Sequence, residues 1–210
     1  MISSVGDITQ MVVILLCEVI AFMDARKQRS RLRLIYGLFL LSFFLGDLWW
    51  FLDLTLYGGD AGYSLIPYIN WKVAMIFLIL MMQQYHSGSI FRKPASWLQL
   101  IIPVFCGAMC VWYMTMGAYL DNIVTAVLMI IIIWNAVQRL IEIRKNLTKD
   151  KGDKWLCAVI ILYCLMEYGM WTASCFDYSH PVYNLYYIFN FGLTMCFILF
   201  IPAVRKAVDE

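Results

Sequence analysis

Charge is what this chain has least of. Asp, Glu, Lys and Arg make up 14% of its 210 residues, where a soluble domain carries about a quarter. Hydrophobic residues reach 63%, which leaves too little polar surface to cover a water-soluble globule. The few charges are separated by long uncharged runs, so the chain reads as an integral membrane protein. Histidine is rarer still. His86 and His180 fall near opposite membrane faces, and neither has a carboxylate or cysteine at ligand spacing, so no metal or other cofactor is expected. G-x-S-x-G, H-E-x-x-H and glycine-rich phosphate loops are missing, and no enzymatic chemistry is expected. The seven cysteines include no C-x-x-C pair. An odd number argues against a disulfide framework, and they read as small buried hydrophobes. The N-terminus has no positive region ahead of its first apolar run, so that run is expected to stay as a membrane helix rather than leave as a signal peptide.

What is present is a set of long apolar runs. A spanning helix needs about 20 mostly apolar residues, and seven segments qualify: about 8–24, 34–55, 65–85, 95–117, 122–142, 155–176 and 182–203. Pro103 is expected to bend the fourth. The connections are short, and almost nothing is left for a soluble domain.

Orientation follows from the basic residues. Arg26, Lys27, Arg29, Arg31 and Arg33 fall in the first connection, and Arg92 and Lys93 in the third. Arg139, Arg144, Lys145, Lys149, Lys151 and Lys154 fall around the fifth, and Arg205 and Lys206 in the tail. Of the 16 basic residues only Lys72 lies on the other side, which instead carries Asp7, Asp53, Asp60, Asp121 and Asp177. The positive-inside rule then places the N-terminus out and the C-terminus in, at the cell membrane. Because topology accounts for the distribution of basic residues, the net charge of +2 gives no reason to expect nucleic acid. The lipid bilayer is the partner expected first.

One string recurs. Tyr63–Phe77, YSLIPYINWKVAMIF, is echoed by Tyr183–Phe197, YNLYYIFNFGLTMCF. Tyr63, Leu65, Asn70, Met75 and Phe77 reappear at a constant offset as Tyr183, Leu185, Asn190, Met195 and Phe197, where roughly one match is expected by frequency. Upstream, Asp47 falls on Glu167 at the same offset. This predicts an all-α, polytopic single domain over 1–210, with parallel half-repeats at about 8–85 and 122–203 flanking a linker helix at about 95–117.

The polar residues at membrane depth are the candidates for function. A charge at mid-bilayer costs roughly 2.5–3.5 kcal/mol on insertion scales. Glu18, Asp47 and Glu167 therefore need a partner, a proton or an inward face, and are candidates for proton or ion coupling. A carboxylate–amide bond that merely locks helices together is the alternative. Lys72 is expected either to pair with Asp47 or Asp53 or to snorkel to the surface. Asn70 and Asn190, amides at equivalent places, suit a small polar solute, with Trp71, Phe189 and Phe191 as aromatic neighbours; Asp47, Glu167, Trp171 and Lys72 complete the expected substrate-binding set. Trp49, Trp50, Trp112, Tyr113, Tyr178, Tyr183, Tyr186 and Tyr187 are expected in the interfacial belt.

Seven helices, an outside N-terminus and a parallel repeat around helix 4 resemble the plan of the SWEET sugar transporters, and of the related PQ-loop and nicotinamide-riboside transporters. That resemblance implies a carrier whose substrate is held by one asparagine on helix 3 and one on helix 7, as Asn70 and Asn190 would do. The chain lacks a PQ dipeptide and lacks the prolines those proteins carry in helices 1, 2, 5 and 6. Microbial rhodopsins share the helix count but need a lysine in helix 7, which the run 182–203 lacks. The chain is also similar in size and orientation to the seven-helix input modules of sensor kinases. The competing expectation is therefore a receptor subunit with a cytoplasmic signalling partner, and either reading admits a homo-oligomer.

Overall fold

The computed structural model describes residues 2–57, 65–84, 96–145, 153–176 and 185–209. Expectations attached to His86, His180, Tyr63, Tyr178, Tyr183, Arg92, Lys93, Lys149, Lys151, Asp60 and Asp177 lie outside them. The described chain is all helical. Seven α-helices follow in order: α1 (Ile2–Gln28), α2 (Arg31–Tyr57), α3 (Leu65–Gln83), α4 (Ile101–Met114), α5 (Tyr119–Arg144), α6 (Asp153–Ser174) and α7 (Leu185–Asp209). Six are long and apolar enough to cross a membrane, and α4 is the shorter exception. This is a multi-pass membrane protein.

Helix ends follow backbone chemistry rather than hydropathy. The basic stretch after residue 24 was expected as a connection, yet α1 runs on to Gln28 because Arg, Lys, Gln and Ala are good helix formers. The chain turns at Arg29, which takes a left-handed φ of 50°. Ser30 then caps α2, its Oγ accepting from the Arg33 N–H at 3.5 Å. Pro67 stands third in α3, where an N–H has no partner to lose. Pro103, expected within the inner half of helix 4, stands third in α4. A 3-10 turn, Trp97–Leu100, leads into α4, whose 14 residues cover about 21 Å at 1.5 Å per residue.

Consecutive helices alternate in direction, as their paired ends show. At one end Arg33 of α2 pairs with Asp209 of α7 at 3.0 Å, and Arg205 of α7 with Asp24 of α1 at 2.7 Å. Arg139 of α5 pairs there with Asp153 of α6. At the opposite end Lys72 of α3 pairs with Asp121 of α5 at 3.0 Å. Neighbour packs on neighbour in the order α1, α2, α3, α5, α6, α7 and back to α1, with α4 against the outside of α5 and α2 also touching α7.

The centre of this ring is aromatic. Tyr36, Phe39 and Phe43 of α2 meet Tyr163 of α6 and Phe197 and Phe200 of α7, with ring centroids 4.9–6.3 Å apart. The Tyr36 hydroxyl is kept satisfied by donating to the Phe197 carbonyl at 2.7 Å. Cys17, Cys106, Cys157, Cys164 and Cys196 pack into the same core.

The buried faces of α2 and α6 share a register. Tyr36, Phe39, Leu40 and Phe43 are buried on α2, and Leu156, Val159, Ile160 and Tyr163 are buried on α6 at the offset that relates Asp47 to Glu167. On α3 and α7 the register slips by one residue. Ala74, Met75, Leu78 and Met81 are buried on α3, against Leu193, Thr194, Phe197 and Phe200 on α7.

Candidate functional site

Above the aromatic core, toward the end where α1, α3, α5 and α7 begin, the bundle holds a cavity of about 210 Å³. Five helices wall it, each contributing side chains spaced three or four residues apart, the spacing that keeps them on one helical face. From α1 come Asp7 and Gln10, from α3 Tyr68 and Trp71, and from α7 Tyr186 and Asn190. From α2 come Phe43, Asp47 and Trp50, while α6 supplies Glu167, Met170, Trp171 and Ser174. Phe43 also belongs to the core cluster, so it forms the floor.

Two acid–indole pairs organise these walls. The Trp71 indole N–H donates to Asp47 Oδ1 at 3.0 Å, and Gln10 Nε2 donates to Asp47 Oδ2 at 2.9 Å. Both oxygens of Asp47 thus hold a donor from a neighbouring helix. Gln10 is itself fixed by α7, since the Thr194 hydroxyl donates to Gln10 Oε1 at 3.3 Å. On the other side the Trp171 indole N–H donates to Glu167 Oε1 at 3.2 Å within one turn of α6. Glu167 Oε2 is buried and has no partner among the described residues. The charge of Glu167 reaches Asp47, and that of Lys72 reaches Glu167.

The indoles also meet each other. Trp71 and Trp171 cross edge to face with centroids 6.1 Å apart, Tyr68 stacks on Trp171 at 6.4 Å, and Trp50 lies 6.1 Å from Trp71. Gly46 is what lets Trp71 sit there. A Cβ at that position would lie 2.5 Å from Trp71 Nε1, so only hydrogen on α2 leaves room for the ring.

Of the residues singled out by sequence, Asp47, Trp71, Glu167, Trp171 and Asn190 come together at this cavity. Asn70 does not line it. Its Nδ2 donates to the Ile66 carbonyl of its own helix at 3.1 Å, because the cavity-facing side of α3 carries Tyr68 and Trp71. Trp71 stands where Asn190 stands on α7, one residue out of step with the recurrent string. Lys72 pairs with Asp121, not with Asp47 or Asp53, because it faces α5; both partners are nine-tenths buried or nearly so, at 12% and 9% exposed. Glu18 lies about 12 Å farther along α1 than Gln10 at 1.5 Å per residue. It is outside the cavity lining, with Oε2 buried and unpartnered among the described residues.

Two residues expected in the interfacial belt, Trp50 and Tyr186, line the cavity instead. Tyr113 ties α4 to α6 through the Thr172 hydroxyl at 2.8 Å. Lys206 is also a correction, since α7 extends far enough to include it. It sits over the Trp155 ring at 5.9 Å, in the last turn of the helix and remote from the cavity. Tyr68 and Asp7 were legible in principle, at helical spacing from Trp71 and Gln10.

Comparison of the chain with protein-family models, curated proteins and solved structures finds no match.

Proposed function

We propose that this protein is a cell-membrane transporter for a small polar solute, bound in the cavity between its two halves. The observation that carries this is the composition of the cavity walls. Helices α1–α3 supply one acid–indole pair, Asp47 with Trp71, and helix α6 supplies the other, Glu167 with Trp171. Repeat-built carriers bind solute at the repeat interface near mid-membrane, and the shared burial register of α2 and α6 supports a parallel 3+1+3 duplication. In this reading the chain crosses the membrane seven times. The 3-10 turn ahead of α4 adds about 8 Å to that helix at about 2.0 Å per residue, which brings it near the roughly 30 Å hydrocarbon core. The basic residues gathered at the far end set the N-terminus outside, and the cavity opens outward. Asp47 and Glu167 hold or couple the solute, and Asn190 orients it.

Purified protein in proteoliposomes is expected to take up at least one member of a labelled panel of sugars, nucleosides, vitamins, amino acids and amines. Asn190→Ala is expected to abolish that uptake while the protein still elutes as a folded species. Failure of the whole panel, or normal uptake by Asn190→Ala, would end this reading.

A receptor has one observation in its favour. The ring cluster of Phe39, Phe43, Tyr163, Phe197 and Phe200 closes the path below the cavity, and a solute could pass only if it repacked. A receptor would bind ligand without moving it, and its basic end would face a cytoplasmic partner. Saturable binding with no uptake favours that alternative.

A further inference from the structure

We infer that the cavity takes a monovalent organic cation, a protonated amine or a quaternary ammonium group, rather than a neutral sugar. This rests on the reading of the cavity as a solute site and names the class of solute.

The charge balance comes first. Among the described residues Asp7, Asp47 and Glu167 line the cavity, and no described Lys, Arg or His does. The basic side chain near this end among the described residues, Lys72, is held by Asp121 at 3.0 Å and lies outside the lining, although its charge reaches Glu167. The hydrogen bonds separate the acids by role. Asp47 already holds a donor on each oxygen and offers a guest only its charge. Glu167 is 2% exposed, lines the cavity, and keeps one oxygen with no partner among the described residues. A buried carboxylate oxygen without a donor is costly, and a cationic guest in the cavity would supply the partner it lacks.

The walls are the second observation. Four aromatic rings, Trp50, Tyr68, Trp71 and Trp171, contact one another around the cavity. The indole N–H groups of Trp71 and Trp171 are spent on Asp47 and Glu167. What these indoles have left to offer a guest is their π system, which attracts cations and most strongly so in tryptophan. A sugar would need several free donors and acceptors. Of the two amides on the wall, Gln10 is already engaged by Asp47 and Thr194, which leaves Asn190. A volume of about 210 Å³ falls below the roughly 300–1,000 Å³ of drug-sized pockets and suits a small headgroup.

The test uses the full chain in nanodiscs, with the cavity tryptophans as reporters. Choline, tetramethylammonium, glucose and 3,3-dimethyl-1-butanol, the uncharged isostere of choline, are each titrated while intrinsic fluorescence is recorded. Choline or tetramethylammonium should shift the emission saturably, and the neutral isostere and glucose should bind at least tenfold more weakly. Glu167→Gln should weaken cation binding at least tenfold, whereas Asp24→Asn, at the opposite end of the bundle, should leave it unchanged. The comparison of choline with its isostere needs no variant, so it decides the matter even if Glu167→Gln does not fold. Equal binding of choline and isostere overturns the inference, as does preferential glucose binding, which would leave the solute site itself standing. Absence of any binding overturns it too. Cation binding without uptake in proteoliposomes supports the inference while removing the carrier.

Discussion

Replacing Gly46 by alanine tests the wall of the cavity more directly than replacing any residue that lines it. The new methyl carbon would stand 2.5 Å from Trp71 Nε1, 2.6 Å from Cδ1 and 3.2 Å from Cε2, all on one face of a rigid ring. The indole cannot yield by rotating a flexible tip, so the whole ring must move away from α2. Overpacking of this kind costs about 1–3 kcal/mol. The same displacement breaks the Trp71 N–H bond to Asp47 Oδ1. Interhelical hydrogen bonds in membranes average about 0.6 kcal/mol, and the loss leaves a buried carboxylate oxygen short of a donor. The expected loss is therefore about 2–4 kcal/mol, together with weaker solute binding. Thermal unfolding of purified protein in detergent, scored as recovery of the monodisperse species, measures the first part. Gly107→Ala is the control, since nothing lies within 4 Å of a Cβ there; it should be neutral or should stabilise by up to about 1 kcal/mol through helix propensity. In a Trp71→Ala background the cost of Gly46→Ala should vanish, because the clashing partner is gone. A Gly46→Ala protein as stable as wild type, or an unchanged penalty without Trp71, would refute the reasoning.

Other expectations follow from the same geometry. Asn70→Ala should leave solute uptake and binding unchanged while Asn190→Ala abolishes them; equal effects in a proteoliposome assay would show that α3 presents a different face. Lys72→Met should destabilise by about 3–5 kcal/mol by stranding a buried partner. Asp121→Asn in the same chain should restore most of that in thermal unfolding, whereas Asp53→Asn should restore none. Glu18→Gln should leave ligand binding unaltered, since Glu18 does not line the cavity, and a fluorescence titration showing tenfold weaker binding would overturn that placement.

Much of the fold was legible because a membrane imposes simple rules. Apolar runs of about 20 residues located every long helix, since backbone groups in lipid must be satisfied within their own segment. The offset of the recurrent string drew attention to Asp47 and Glu167, and the string itself contains Trp71; Trp171 stood out only as a neighbour of Glu167 on its own helix. Two kinds of error remained. Hydropathy misjudged helix ends at Gln28 and Asp209, because charged residues continue a helix after its membrane span has finished. The recurrence also misled at Asn70. A constant offset in sequence carries no information on rotation about the helix axis, and one residue of slip turns a side chain by about 100°.

The sequence by itself determined that this protein lives in a bilayer and which polar residues lie at membrane depth. It did so because the hydrophobic effect acts on each segment independently of the others. Only the tertiary structure decided which of those residues meet. Gly46 admits Trp71 to Asp47, Gln10 completes that carboxylate from α1, and Asp121 draws Lys72 away from the acids. Those outcomes depend on how helices far apart in the chain rotate and approach, and sterics and hydrogen bonding between them set that geometry.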